Sequence, residues 1–173
     1  EKNLLMIVDE VQTGMGRTGT WFAWQGYGVQ PDLFTCAKAL ADGIPMGALV
    51  SNAKLADVFT ASSHASTFGG NPVAAAAGLA VIDVIESENL LANAVKVGAL
   101  IREALQGFVD QYDQLLGVRG KGLLIGLVVE GQAKELVDAL RAQGLLVLTA
   151  GEHVVRLLPP LTLGEDDLED AVD

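Results

Sequence analysis

The stretch Leu4-Leu5-Met6-Ile7-Val8-Asp9-Glu10-Val11-Gln12 carries the first clue to the fold. Five consecutive apolar residues end on a carboxylate. An unbroken apolar run of that kind reads as a strand buried on both faces, which is usual in parallel sheets. A similar run, Leu33-Phe34-Thr35-Cys36-Ala37, ends on Lys38, and Gly47-Ala48-Leu49-Val50-Ser51 reads as a third strand. In open α/β sheets, ligands bind beyond the carboxyl ends of the strands. Asp9 and Lys38 each stand at such an end, so an acid and an amine could meet there over one ligand. A plain ion pair at the sheet edge fits the same spacing equally well.

Outward from these strands, residues 10–31 read as loop, punctuated by Gly14, Gly16, Gly19, Gly26, Gly28 and Pro31. Residues 54–60 read as a short helix and 62–72 as an irregular loop. Pro72 suits the first turn of a helix from Val73 to Ser87. A second helix is expected from about Glu88 to Asp113, with Leu91, Ala94, Val95, Val97, Ile101, Leu105 and Phe108 as its apolar stripe. Then come a strand over 123–129, a helix over 132–143, and strands over 145–149 and 153–158, the last stopped by Pro159-Pro160. The acidic turn from Gly164 opens another helix, with Leu168, Ala171 and Val172 at helical spacing. Residues 1–70 are therefore expected to form part of an α/β sheet, 71–90 a connecting helix, and 91–173 a small α+β unit. A strand entered after three residues and a helix begun near the last one read as a piece of a longer protein.

Composition narrows the function classes. The 173 residues are half hydrophobic, so a folded core is expected and disorder is not. Eleven basic and 22 acidic residues give a net charge of −11. Such a balance argues against nucleic acid or an anionic membrane as partner, both of which require a basic surface. No apolar run reaches the roughly 18 residues of a membrane span. One cysteine excludes an internal disulfide framework and a cysteine-rich metal site. A soluble, cytoplasmic protein with no bound metal is the expectation.

Longer strings sharpen the reading. Asp9-Glu10-Val11-Gln12-Thr13-Gly14-Met15-Gly16-Arg17-Thr18-Gly19 resembles the cofactor-ring segment of class III, fold type I aminotransferases, which use pyridoxal 5'-phosphate (PLP). Thr35-Cys36-Ala37-Lys38-Ala39-Leu40 with Gly43-Ile44-Pro45-Met46-Gly47-Ala48 resembles their Schiff-base lysine segment. Ser66-Thr67-Phe68-Gly69-Gly70-Asn71-Pro72 is similar to their phosphate loop, and Arg156-Leu157-Leu158-Pro159-Pro160-Leu161 to their carboxylate-binding strand. Four motifs in order are far more specific than any one.

The resemblance implies a fold and a set of roles. The fold is α/β: part of the large PLP-binding domain, with a mainly parallel sheet and helices, followed by a small α+β C-terminal domain. Lys38 would form the resting imine and then move the proton, since a lysine amine can act as nucleophile and then as base. Asp9 would pair with the pyridine nitrogen and strengthen the electron sink. Val11 would pack on the ring, and Gln12 would hydrogen-bond its phenolic oxygen. Glu10 belongs to the same cofactor string, with a structural role in the turn as an equal alternative. Thr67 would contact the phosphate and Ser66 the substrate, from the neighbouring subunit of a homodimer with shared sites. Arg156 would hold the carboxylate of 2-oxoglutarate or glutamate through two parallel hydrogen bonds. Arg17 and its glycines are read as shaping the loop, His64 as structural, Cys36 as a small apolar residue, and Trp21, Phe22 and Trp24 as packing or interface.

Within the family, Ser66–Pro72, Val118-Arg119-Gly120-Lys121-Gly122-Leu123-Leu124-Ile125-Gly126 and residues 145–161 resemble the acetylornithine branch more than the 4-aminobutyrate branch. Ornithine and succinylornithine enzymes share most of these positions. The implied reaction is reversible amino transfer from N-acetylornithine to 2-oxoglutarate, in arginine biosynthesis. Family elements upstream of these strings, including a Gly-Thr phosphate loop, are not among the 173 residues, which alone are expected to transaminate poorly. A chain that only binds a full-length enzyme is the alternative of another class.

Overall fold

A computed structural model describes residues 4–172, in two compact units that divide between Asn89 and Leu90. In the first unit, β1 (Ile7–Asp9), β2 (Leu33–Cys36) and β3 (Ala48–Ser51) form a sheet in the order β1-β2-β3. β1 and β2 run parallel, with Asp9 opposite Thr35. β2 and β3 run antiparallel, with Cys36 opposite Ala48. The sheet is thus mixed, and the expected parallel arrangement is confined to one pair.

Two further expectations need correction here. The run from Leu4 is not buried on both faces: Ile7 is 64% exposed, and Leu4, Leu5 and Met6 are exposed too. Burial of both faces needs a layer on each side of the sheet, and the chief neighbour of β1 in this unit is β2. Nor do residues 54–60 form a helix. Only a 3-10 turn, Ala53–Leu55, is present, opened by Asn52 Oδ1, which accepts from Lys54 N at 3.0 Å. The β-branched and aromatic residues Val58, Phe59 and Thr60 that follow are weak helix formers.

Helix α1 (Pro72–Ser87) begins as its sequence demands. Pro72 occupies its first turn, and Asn71 Oδ1 accepts from Val73 N at 2.9 Å and Ala74 N at 3.4 Å. The helix lies on the 3-10 turn Lys38–Leu40. A Cβ at Gly78 would come within 3.2 Å of Leu40 O.

The second unit holds α2 (Leu90–Gln111), β4 (Leu115–Lys121), β5 (Leu124–Val129), α3 (Ala133–Ala142), β6 (Leu148–Thr149), β7 (Val154–Leu157) and α4 (Glu165–Val172). Its sheet is antiparallel throughout, in the order β4-β5-β7-β6. β4 has no counterpart in the sequence reading, because Gly117 and Gly120 interrupt its alternation. β6 is shorter than the expected 145–149. Alternate residues of one sheet face, Val118, Ile125, Leu127, Val129, Val155 and Leu157, pack with Ala94, Val97 and Ile101 of α2 and with Ala133 and Val137 of α3. That period of two, meeting two apolar helix stripes, makes the core. Among the described residues, no helix is long and apolar enough to cross a membrane.

Candidate functional site

Parallel pairing of β1 and β2 sends both strands out of the sheet on the same side. Asp9 ends β1, and Lys38 follows β2 by two residues. Asp9 Oδ1 accepts two hydrogen bonds, from Val11 N at 3.0 Å and from Thr35 Oγ1 at 2.9 Å. Among the described residues nothing donates to Oδ2, and Asp9 is exposed, so this oxygen can take a further donor. The Val11 N–H, then the Thr35 hydroxyl, and last the Lys38 charge hold the Asp9 carboxyl below the usual carboxylate range. It therefore stays ionised through neutral pH. Lys38 is exposed and has a backbone φ of 52°, in the left-handed region that non-glycine residues rarely adopt.

Glu10 points the other way. It is 1% exposed. Its Oε2 accepts from Thr13 Oγ1 and from Ala23 N at 3.0 Å, and its Oε1 accepts from Trp24 N at 3.0 Å. One carboxylate thus ties the turn after β1 to the 3-10 turn Ala23–Tyr27. That turn is anchored by Phe22, whose ring lies 4.5 Å from the Phe34 ring on β2, with the Trp24 ring 6.3 Å from it. Val11 is half-buried, and Gln12 is exposed. The turn is closed by Gly14 N donating to Glu10 O at 2.9 Å. Arg17 is half-buried; desolvation draws its pKa down and the charge of Asp42 opposes that. Cys36 is buried, and burial pushes its thiol pKa up.

Asp9, Glu10, Val11, Gln12 and Lys38 therefore gather at one end of the sheet. Ser66 and Thr67 stand on the exposed loop before α1, and no hydrogen bond joins either to Asp9 or Lys38. Arg156 stands on β7 of the second unit, opposite Gly126. His64 packs its ring edge against Phe59, at 6.0 Å. Among the described residues, no three His, Cys, Asp or Glu side chains gather as a metal site. The sequence strings did not single out Thr35 as a site residue; only the strand register places it opposite Asp9.

Comparison with known proteins agrees with the motifs. Residues 1–173 match the family described as Aminotransferase class-III. An acetylornithine aminotransferase of Streptococcus mutans is 46% identical over 173 residues, covering 99% of this chain and 46% of that protein. The Bacillus subtilis acetylornithine aminotransferase is 42% identical over 177 residues, covering 99% and 44%. The crystal structure of acetylornithine aminotransferase from Elizabethkingia anophelis superposes with a TM-score of 0.92 at 40% identity, over 98% of this chain and 46% of that one. Ornithine aminotransferase from Toxoplasma gondii ME49 gives a TM-score of 0.94 at 34% identity, over 99% and 42%. A further Toxoplasma gondii ornithine aminotransferase, with a TM-score of 0.93, 34% identity and the same coverage, is described with PLP at partial occupancy in its active site. The chain spans a little under half the length of these relatives. It belongs to the class-III aminotransferase family.

Proposed function

We propose that this chain carries the lysine and the ring-binding turn of a PLP-dependent enzyme that exchanges an amino group between N-acetylornithine and 2-oxoglutarate, a step in arginine biosynthesis. The observation that carries the reading is the placement of Asp9 and Lys38 at the ends of adjacent parallel strands, with Asp9 ionised and its Oδ2 open. PLP has a ring nitrogen that needs an ionised acceptor and an aldehyde that needs an amine. Asp9 and Lys38 meet both needs, so the residues present fit the group. When bound, PLP supplies an electron sink for the bonds at the substrate carbon.

The chain's own residues would do the rest. Asp9 accepts the ring N–H, and Glu10 keeps the Asp9–Gln12 turn in shape from behind. Val11 offers an apolar surface to the ring, and Gln12 an amide to its oxygen. The Lys38 amine would hold the group through its aldehyde, with loss of water, and would take up and return a proton at its own nitrogen. Arg156 grips a substrate carboxylate with two parallel hydrogen bonds.

Thr67 offers a hydroxyl to the phosphate and Ser66 one to the substrate. Neither is joined to Asp9 or Lys38, and we assign this loop to the site of a second copy, in a homodimer with shared sites. The apolar surface along it supports that assignment: Phe68 is 82% exposed, Val73 66% and Leu79 64%. N-acetylornithine is chosen as donor from the names of the relatives, with ornithine next because of the structural neighbours.

Borohydride reduction of the chain in the presence of PLP tests the reading, because it converts the bond to lysine into a stable amine. One pyridoxyl group is expected, mapping to Lys38. Modification spread over Lys54, Lys96, Lys121 and Lys134, with none at Lys38, would overturn it.

A further inference from the structure

We propose that Thr35 is a positioning residue, which fixes the Asp9 carboxylate so that Oδ2 is the oxygen offered beyond the strand ends. The inference rests on the proposed function for what meets that oxygen, the ring nitrogen of PLP.

The register of the two parallel strands carries the argument. Asp9 ends β1 directly opposite Thr35 on β2, so the two side chains rise from one face of the sheet. Thr35 Oγ1 donates to Asp9 Oδ1 at 2.9 Å, between residues 26 apart in sequence. Val11 N donates to the same oxygen at 3.0 Å. The Thr35 backbone is tied in as well, because Glu10 N donates to Thr35 O at 2.9 Å. A single residue of β2 therefore holds both the Asp9 carboxylate and the N–H that follows it.

Two donors on one oxygen set the plane of a carboxylate. The terminal torsion of an aspartate is otherwise broad and two-fold. With Oδ1 held by the Val11 N–H and the Thr35 hydroxyl, exchange of the two oxygens would break both bonds. Asp9 is exposed, so close packing does not restrain it in their place. Thr35 is half-buried and β-branched, which leaves its side chain few rotamers. It also stands on the middle strand, held by β1 on one side and opposite Leu49 of β3 on the other.

The two donors are not equivalent. The Val11 N–H belongs to the turn that carries Asp9 and moves with it. Only Thr35 refers the carboxylate to the neighbouring strand, and Lys38 follows that strand by two residues. Thr35 thus sets the acid in place relative to the amine. Other titratable groups nearby face elsewhere. Glu10 meets the backbone of Ala23 and Trp24, Cys36 lies buried on the opposite face of β2, and β3 has none. Lys38 is the charged side chain whose field reaches Asp9.

Thr35→Val, which keeps the shape and removes the hydroxyl, and Thr35→Ser, which keeps the hydroxyl, test the proposal. Valine suits a strand, so the first variant is expected to fold. The first readout is titration of the Asp9 carboxyl by carbon NMR of the chain without PLP. Thr35→Val removes a donor to the charged form, so its Asp9 pKa is expected to rise toward the ordinary carboxylate value. Thr35→Ser is expected to match wild type. The second readout is PLP affinity at neutral pH. A loss of about fivefold is expected in Thr35→Val, the size of one hydrogen bond, and of less than about twofold in Thr35→Ser. An Asp9 pKa that does not move in Thr35→Val, or wild-type PLP affinity in that variant, would overturn the proposal. Equal losses in both variants would overturn it too, since they would follow the side chain's shape and not its hydroxyl. PLP trapping at Lys38 is scored separately in wild type. Trapping there with no effect of Thr35→Val refutes this inference alone. The Asp9 shift in Thr35→Val without trapping at Lys38 in wild type refutes the functional reading alone.

Discussion

Lys38→Ala is expected to lose the borohydride-stable pyridoxyl group completely. The other lysines among the described residues belong to other elements. Lys54 is in the 3-10 turn after β3, Lys121 ends β4, and Lys96 and Lys134 make salt bridges with Glu165 and Asp138 on the surface of the second unit. None stands at the carboxyl end of β1 or β2. An amine beside an ionised Asp9 reacts at a place where the ring nitrogen is already held, so the bond forms at one address and not statistically over the surface. The check is peptide mapping of reduced wild type and variant at equal PLP. A pyridoxyl yield in Lys38→Ala above a tenth of wild type, wherever it maps, would contradict the assignment.

The second large effect is expected at Glu10, on stability. Glu10→Ala leaves two half-buried backbone N–H groups, those of Ala23 and Trp24, and the Thr13 hydroxyl without their acceptor, the buried Glu10 carboxylate. A buried polar group left unsatisfied costs about 1–3 kcal/mol. The sum expected for the variant is about 3–5 kcal/mol. Glu10→Gln is the informative companion. Both carboxylate oxygens face N–H donors, so the amide must turn its NH2 against one of them, and a loss of about 2 kcal/mol is expected. Urea unfolding followed by tryptophan fluorescence reads this directly, since Trp24 belongs to the anchored turn. A loss under 0.5 kcal/mol (roughly the scatter of surface substitutions) in Glu10→Ala would show that the carboxylate does not hold the turn.

Legibility in the sequence followed the range of the interactions. Runs such as Leu33–Ala37 and the stripe of α2 depend on neighbours one to four residues away, and their elements were found where the periodicity put them. The strand ends then made Asp9 and Lys38 visible as candidates before any coordinates. β4 was hidden because its glycines break the alternation, although its cross-strand partners stabilise it regardless. The run from Leu4 shows the converse: apolar composition gives a need for cover but not the layer that supplies it. Glu10 was legible as part of a string and not as an anchor, since its partners lie 13 and 14 residues ahead. The Thr35 contact with Asp9 was out of reach altogether, being a property of the register between two strands.

The left-handed backbone at Lys38 sets the side chain proposed to hold PLP against its own fold. A residue with a Cβ at φ 52° is strained by about 1 kcal/mol or more, and glycine is not. Lys38→Gly is therefore expected to unfold at higher urea than Lys38→Ala, although both have lost the amine. Stability alone favours glycine at this position, so a lysine there fits the amine role proposed for it, which glycine could not fill.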